Sequence, residues 1–146
     1  MSKFILQSKM YDIELNLEHK NNIILGDSGS GKTFLCSIID IISKDDYARS
    51  RFKSNFDLSL VETISTRLGI DTFDWDKCGR VIFLDRADTY LTMEDAMKIN
   101  KSQNIFYIMS RDTGSRLRLN LVLESYMTLH HTVKDGKHYL RTERFI

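Results

Sequence analysis

The spacing of apolar residues in the first third of the chain predicts two strands, a third strand and a helix. Residues 3–7 and 11–17 read as strands, and in the second of these the apolar side chains alternate with polar ones. A short apolar run at 23–25 predicts a buried strand. The apolar positions between 34 and 42 then repeat with the period of a helix.

Further apolar segments follow in the middle of the chain. Asp57 is a good N-cap, and the apolar positions 60, 61, 64 and 68 before Gly69 predict a second helix. Two short apolar runs, 81–84 and 105–109, predict buried strands. Between them, residues 92–95 resemble a capping box that opens a short helix.

The C-terminal part of the chain carries a hairpin signal. The pair Asp135-Gly136 lies between two segments of strand-like composition, 128–133 and 137–141. Together with the preceding segments, this order predicts an α/β fold. We expect a mostly parallel central sheet with antiparallel N-terminal strands and a C-terminal hairpin.

A glycine-rich motif lies between the strand at 23–25 and the helix that follows it. It reads G-x-x-x-x-G-K-T, the pattern of a phosphate-binding P-loop. Glycines let the backbone N–H groups approach a polyphosphate closely, and the helix N-terminus favours the same anion. The expected nucleotide-binding residues are Gly26, Asp27, Ser28, Gly29, Ser30, Gly31, Lys32 and Thr33.

Three residues of the sequence are candidates for the chemistry of that site. Lys32 would neutralise the β- and γ-phosphates, and the Thr33 hydroxyl would ligate Mg²⁺. Asp85 follows the apolar run 81–84, as the metal-side carboxylate of a nucleotide site does. The expected cofactors are therefore ATP and Mg²⁺, with Thr33 and Asp85 on the metal. ATP is favoured over GTP because no Asn-Lys-x-Asp motif is present.

The order of these motifs resembles the nucleotide-binding domain of ABC-type ATPases, including the RecF/SMC-like branch. The resemblance implies a P-loop NTPase fold. Two residues depart from the family: Arg86 stands where that family has a catalytic glutamate, and Arg111 stands where it has a switch histidine. The signature Leu-Ser-Gly-Gly-Gln is absent, and the segment before Asp85 is much shorter than in typical ABC domains. We therefore do not expect the family's ATP-sandwich dimer.

The substitution at Arg86 shapes the functional prediction. An arginine cannot serve as a base, because its pKa exceeds roughly 12. Arg86 either stabilises charge on the γ-phosphate, acting with Lys32 and Asp85, or forms a salt bridge with Asp88 or Asp112. We expect an ATP-binding protein with slow or partner-dependent hydrolysis, which acts as a switch or regulator of a larger complex.

Two alternatives come from other classes of function. The pair Asp85-Arg86 resembles the Asp-Arg pair of thymidylate kinases, which would imply a nucleotide or nucleoside kinase-like phosphotransferase. A vestigial ATPase that acts purely as a protein-interaction module is the other. Both the hypothesis of a nucleotide-dependent switch and that of an interaction module imply a protein partner, which the sequence does not identify.

Composition bears on the number of domains, on nucleic-acid binding and on the cellular compartment. The 146 residues are expected to form one domain, 1–146, and the net charge of +1 gives no general attraction to nucleic acid. The arginine-rich segment 111–118 allows a nucleic-acid contact, but a solvated loop is the favoured interpretation. Two cysteines without metal-site spacing and the lack of a long apolar segment predict a cytoplasmic protein that does not enter a membrane.

Overall fold

The computed structural model describes residues 3–27, 29–111 and 121–144, and these contain nine strands and four α-helices. The strands are Lys3–Gln7 (β1), Tyr11–Asn16 (β2), Asn21–Leu25 (β3), Lys53–Ser54 (β4), Val61–Ile64 (β5), Cys78–Leu84 (β6), Gln103–Ser110 (β7), Glu124–Lys134 (β8) and Lys137–Arg144 (β9). The helices are Lys32–Lys44 (α1), Asp46–Ser50 (α2), Arg67–Thr72 (α3) and Met93–Lys101 (α4). Two short 3₁₀ turns are Leu58–Leu60 and Ala87–Thr89.

All nine strands belong to one sheet, in the order β4-β1-β2-β9-β8-β3-β7-β6-β5. Strands β8, β3, β7, β6 and β5 form a block in which each adjacent pair is parallel. The other half of the sheet is mixed, because β1 pairs antiparallel with β2 and β4, β8 pairs antiparallel with β9, and β2 runs parallel to β9. The parallel block places the carboxyl ends of β3, β6 and β7 at one edge of the sheet.

The predicted fold class is wrong: we expected a P-loop NTPase fold with a mostly parallel central sheet, antiparallel N-terminal strands and a C-terminal hairpin. The protein is a mixed, strongly curled nine-stranded sheet with 42% strand and 30% helix. Within the part of the chain that the structure describes, only α1 and α4 are longer than six residues. Strands of the curled half therefore provide much of the apolar cover that helices would provide in a parallel fold.

The two faces of the sheet bury separate apolar clusters. Along β3 and β7, consecutive side chains alternate between the clusters, as the period of a strand requires. The first cluster joins α1 to the inner face of the curled strands and includes Phe4, Leu6, Ile13, Leu15, Leu35, Ile39, Ile42 and Leu140. The second lies beneath α3 and α4 and includes Ile23, Ile70, Ile82, Ala96, Ile99 and Phe106. Because α1 is packed along its length, the position of its first residues is fixed.

Several local predictions are confirmed, and one is wrong. The N-terminal antiparallel pair and the C-terminal hairpin are present. The capping box at Thr92 and Asp95 opens α4. The predicted helix over 57–69 does not form: Val61–Ile64 is strand β5, paired in parallel with β6, and α3 begins only at Arg67. Pairing with β6 buries Val61 and Ile64. Across the described ranges, no helix has the length and apolar character needed to cross a bilayer.

Candidate functional site

The glycine motif forms the connection between β3 and the start of α1. The N–H of Gly26 donates to the carbonyl of Ser110 at 3.2 Å, which ties the beginning of the loop to the end of β7. Gly31 caps α1 with φ of 102°, and a Cβ there would lie 3.0 Å from the Cβ of His131. Only glycine satisfies both conditions without strain. The described residues of the loop thus contact β7 at Gly26 and β8 at Gly31. Ser28 lies outside the described residues.

Lys32 folds back over this loop. Its ammonium donates to the carbonyls of Gly26 and Asp27 at 2.6 and 2.8 Å, and to the hydroxyl of Ser30 at 2.9 Å. Only 7% of the residue is exposed, and burial lowers the pKa of the ammonium, although the charges of Asp27, Asp88 and Asp85 oppose the shift. Each of these three bonds uses an uncharged oxygen. An arriving phosphate oxygen would offer the ammonium a stronger, charged acceptor.

Asp85 stands at the carboxyl end of β6, facing the same loop. Its backbone N–H donates to the carbonyl of Ile64 at 2.8 Å, so the end of β5 fixes its position. The residue is 7% exposed, and burial raises the pKa of its carboxyl despite the nearby charges of Arg86 and Lys32. A carboxylate deprived of water in this way gains from a cation placed beside it.

Arg86 follows with an unusual backbone. Its φ and ψ are 50° and 43°, the left-handed region, which is uncommon for a residue with a side chain. The guanidinium Nε lies 4.0 Å from Oδ2 of Asp85, while 63% of the side chain stays exposed. The ion pair therefore joins Arg86 to Asp85 rather than to Asp88, and Asp112 lies outside the described residues. A strained arginine beside a buried carboxylate is typical of a functional site.

These residues surround one cavity of about 250 Å³, which we call the loop cavity. Its walls are Gly29, Lys32, Thr33, Asp85, Arg86, Asp88, Thr89, Met109, Ser110 and Arg111. The structure therefore brings together Lys32, Thr33 and Asp85, the three candidates for chemistry, with Arg86 beside them. It also adds Asp88, Ser110 and Arg111 to the same wall. They meet because β3, β6 and β7 are parallel and end at the same edge of the sheet.

The donor set of the loop cavity fits a magnesium nucleotide. The Oδ1 atom of Asp88 is buried and has no hydrogen-bond partner among the described residues. The cavity lining also includes three oxygen-bearing side chains, those of Thr33, Asp85 and Asp88, the kind of ligand that Mg²⁺ prefers. Mg²⁺ is usually held by one or two carboxylates plus phosphate oxygens, so these residues would suffice only with a phosphate present. Accordingly, no group of three or more His, Cys, Asp or Glu side chains suited to a metal occurs in the described chain.

A cluster of rings beside the loop was not predicted from the sequence. Phe34, the residue after Thr33, stacks on His131 and His138 with centroid distances of 4.6 and 5.0 Å. Tyr11 stacks on His138 at 5.4 Å, and the two imidazoles share a hydrogen bond of 2.9 Å. The sequence separates these residues widely, so only the aromatic side chain directly after the Lys-Thr pair could have suggested them.

Other candidates have structural roles or lie outside the site. Trp75 packs on Phe73 and Phe106 in the second apolar cluster, with centroid distances of 5.0 and 6.3 Å, so its role is structural. Arg49, from the basic segment 49–53, pairs with Asp46 on its own helix. Residues 112–118 of the arginine-rich segment lie outside the described residues.

Comparison with known proteins adds no family assignment. A scan of protein-family models and a search of curated proteins found no match to this chain.

Proposed function

We propose that this protein binds ATP with Mg²⁺ at the loop cavity and acts as a nucleotide-dependent switch with slow or partner-dependent hydrolysis. One observation carries the proposal: Lys32, Thr33 and Asp85 line a single cavity, although more than fifty positions separate Asp85 from the loop. The proposal rests on this local arrangement and not on the class of the fold.

Each residue would have a distinct task toward a bound nucleotide. The loop N–H groups and the N-terminus of α1 favour the phosphates, and Lys32 would exchange its loop oxygens for phosphate oxygens. Thr33, Asp85 and Asp88 would hold Mg²⁺, which when bound neutralises charge on the phosphates. Arg86 and Arg111 bring positive charge to the same cavity, where they would stabilise charge on the terminal phosphate.

The same wall gives a reason for slow hydrolysis. A water that attacks phosphorus must be oriented, and usually deprotonated, by a nearby group. The two carboxylates in the wall are assigned here to the cation, and Arg86 cannot accept a proton. ATP would therefore persist once bound, as a switch requires. A protein partner, not yet identified, would read the bound state or complete the site. Two free cysteines suit a reducing compartment such as the cytoplasm.

Calorimetric titration with Mg-ATP tests the proposal. We expect micromolar affinity, roughly −8 kcal/mol. Replacing Lys32 by alanine removes a charged donor worth about 1.5 to 3 kcal/mol, so Lys32→Ala should weaken binding about 10- to 100-fold. Lys98→Ala, at an exposed position of α4, is the matched control and should bind as the wild type does. If the wild type releases no heat and shows no stabilisation with Mg-ATP, the loop is vestigial and the interaction-module alternative is favoured.

Turnover provides a second, independent readout. Release of phosphate by the isolated protein should stay well below the ordinary enzymatic rate of about 10 s⁻¹. Turnover at that rate without any partner would contradict the switch, because a state that decays within a fraction of a second needs no partner to end it.

A further inference from the structure

A second cavity opens beside the loop cavity, on the far side of Asp85. This side cavity has a volume of about 330 Å³ and lies between α1, the end of β5 and the start of α3. The two cavities have Thr33, Asp85 and Arg86 in common as lining residues. The residues assigned to the cation and to the terminal phosphate therefore also face a separate space large enough for a small molecule.

The chemistry of the side cavity differs from that of the loop cavity. Five of its twelve lining residues carry a hydroxyl group, namely Thr33, Ser37, Thr63, Ser65 and Thr66. Its charged residues are two acids, Asp40 and Asp85, and two bases, Lys44 and Arg86, so their formal charges cancel.

Two of these charged residues, Asp40 and Lys44, also form an ion pair with each other. Lys44 lies 3.0 Å from Asp40, and the same carboxylate accepts a hydrogen bond of 2.7 Å from the hydroxyl of Thr63. A wall with many hydroxyl groups and no net charge suits an uncharged ligand with several hydrogen-bonding groups. It does not suit a second phosphate, which would need surplus positive charge.

We propose that the side cavity binds an uncharged, hydroxyl-bearing small molecule, such as a sugar or a nucleoside, which accepts the terminal phosphoryl group of ATP. The inference rests on the proposed function, because the donor must occupy the loop cavity. The oxygen of the acceptor hydroxyl forms a bond to the γ-phosphorus, and the bond from that phosphorus to the β–γ bridging oxygen breaks. The products are a phosphate monoester and ADP, and the hydroxyl proton leaves to water.

The shared wall explains why such a transfer would need both ligands. Arg86, held in a left-handed backbone conformation, belongs to both cavities and would stabilise the phosphoryl group as it passes between them. An acceptor in the side cavity supplies a positioned oxygen without any general base, and a loose phosphoryl-transfer transition state demands little more than positioning. Slow hydrolysis and efficient transfer are therefore compatible in one site.

Ligand binding can be tested apart from turnover. Ribose, glucose and thymidine serve as probes, observed by saturation-transfer NMR with Mg²⁺ and a non-hydrolysable ATP analogue filling the loop cavity. Ser37→Tyr places a ring in the side cavity and should weaken probe binding about tenfold or more. Ser50→Tyr is the matched control, because both serines are helical and donate to the carbonyl three residues earlier, at 2.7 and 2.6 Å. Thr63→Val, which removes one hydroxyl, should weaken binding even if Ser37→Tyr does not fold.

Label transfer completes the test. With ATP labelled at the γ-phosphate, the wild type and Ser50→Tyr should transfer label to at least one probe, while Ser37→Tyr should not. If Mg-ATP binds by calorimetry but no probe binds or gains label, the acceptor site is refuted and the proposed function stands. Probe binding that is unchanged in both Ser37→Tyr and Thr63→Val also refutes it. If Mg-ATP itself does not bind, the proposed function is refuted, and the acceptor site, which rests on it, is refuted with it.

Discussion

Replacing Asp85 by asparagine should stabilise the protein while it abolishes magnesium-dependent binding of ATP. The carboxylate is 7% exposed, and burial raises its pKa. Among the described residues, the cation nearest to it is the Nε of Arg86, which lies 4.0 Å away on a side chain that is 63% exposed. A pair at that distance contributes about 4 kcal/mol at an effective dielectric constant of 20 and about 1 kcal/mol in water, and exposure moves this pair toward the lower figure.

The magnitude follows from the balance of these effects. Removing a carboxylate from water costs several kcal/mol, and the net rise in the pKa indicates that the charges of Arg86 and Lys32 do not offset this cost. An amide of the same shape avoids that cost and can still accept from the backbone N–H of Arg86. We expect Asp85→Asn to raise the free energy of unfolding by about 1 to 2 kcal/mol, within the range of common stabilising substitutions. The melting temperature should rise by about 3 to 6 °C.

The direction of the pKa shift determines how the stabilisation by Asp85→Asn varies with pH. A carboxyl whose folded pKa is raised destabilises the fold when it is ionised, so the penalty is absent below its unfolded pKa of about 3.9. The penalty grows as pH rises and is complete above the folded pKa. The difference in stability between variant and wild type should therefore be full above the folded pKa of Asp85 and should narrow as pH falls toward 3.9.

Urea unfolding at several pH values, with calorimetric titration of Mg-ATP, measures both effects. Asp74→Asn makes the same change on an exposed turn and should alter stability by less than about 0.5 kcal/mol. A loss of stability in Asp85→Asn at neutral pH would refute the desolvation argument. Wild-type affinity for Mg-ATP would remove Asp85 from the proposed metal site.

Three further predictions concern stability. Asp95 is buried and accepts two hydrogen bonds from Arg67, of 2.6 and 2.8 Å. Asp95→Ala should lower the free energy of unfolding by about 2 to 3 kcal/mol, at the low end for a buried ion pair because Arg67 is partly exposed. A loss below about 1 kcal/mol in urea unfolding would contradict this. Gly31→Ala adds a steric clash to an unfavourable φ of 102°, whereas Gly29→Ala, with φ of 93°, meets open space. Thermal melts should therefore show a loss of unfolding free energy of about 2 to 3 kcal/mol for Gly31→Ala and about 1 kcal/mol for Gly29→Ala. Burial, and then the charge of its histidine neighbour, lowers the pKa of His131, so its contribution to stability is complete above its unfolded pKa of about 6.5 and is lost as pH falls. His131→Phe should therefore flatten the stability profile below about pH 6.5, and an unchanged profile would contradict this.

The sequence by itself predicted the features that depend on neighbouring residues. The glycine motif with Lys32 and Thr33 needs only the strand before it and the helix after it. The capping box at Thr92 satisfies the N–H groups of its own helix. Asp135 and Gly136 form the hairpin turn because their φ values of 53° and 77° suit those residue types. In each case the interactions that decide the structure lie within a few positions.

Tertiary structure decided the features that depend on distant pairing. The apolar positions at 61 and 64 suit a helix as well as a strand, and the neighbouring strand β6 made them β5. In the same way, pairing of β9 with β2 joins the N-terminal strands to the rest of the sheet, and apolar side chains of β1 and β2 enter the cluster beneath α1. Local periodicity records which residues are buried, but not which segment buries them. The meeting of Asp88 and Arg111 with the glycine loop has the same origin, since only the parallel alignment of β3, β6 and β7 brings their ends together.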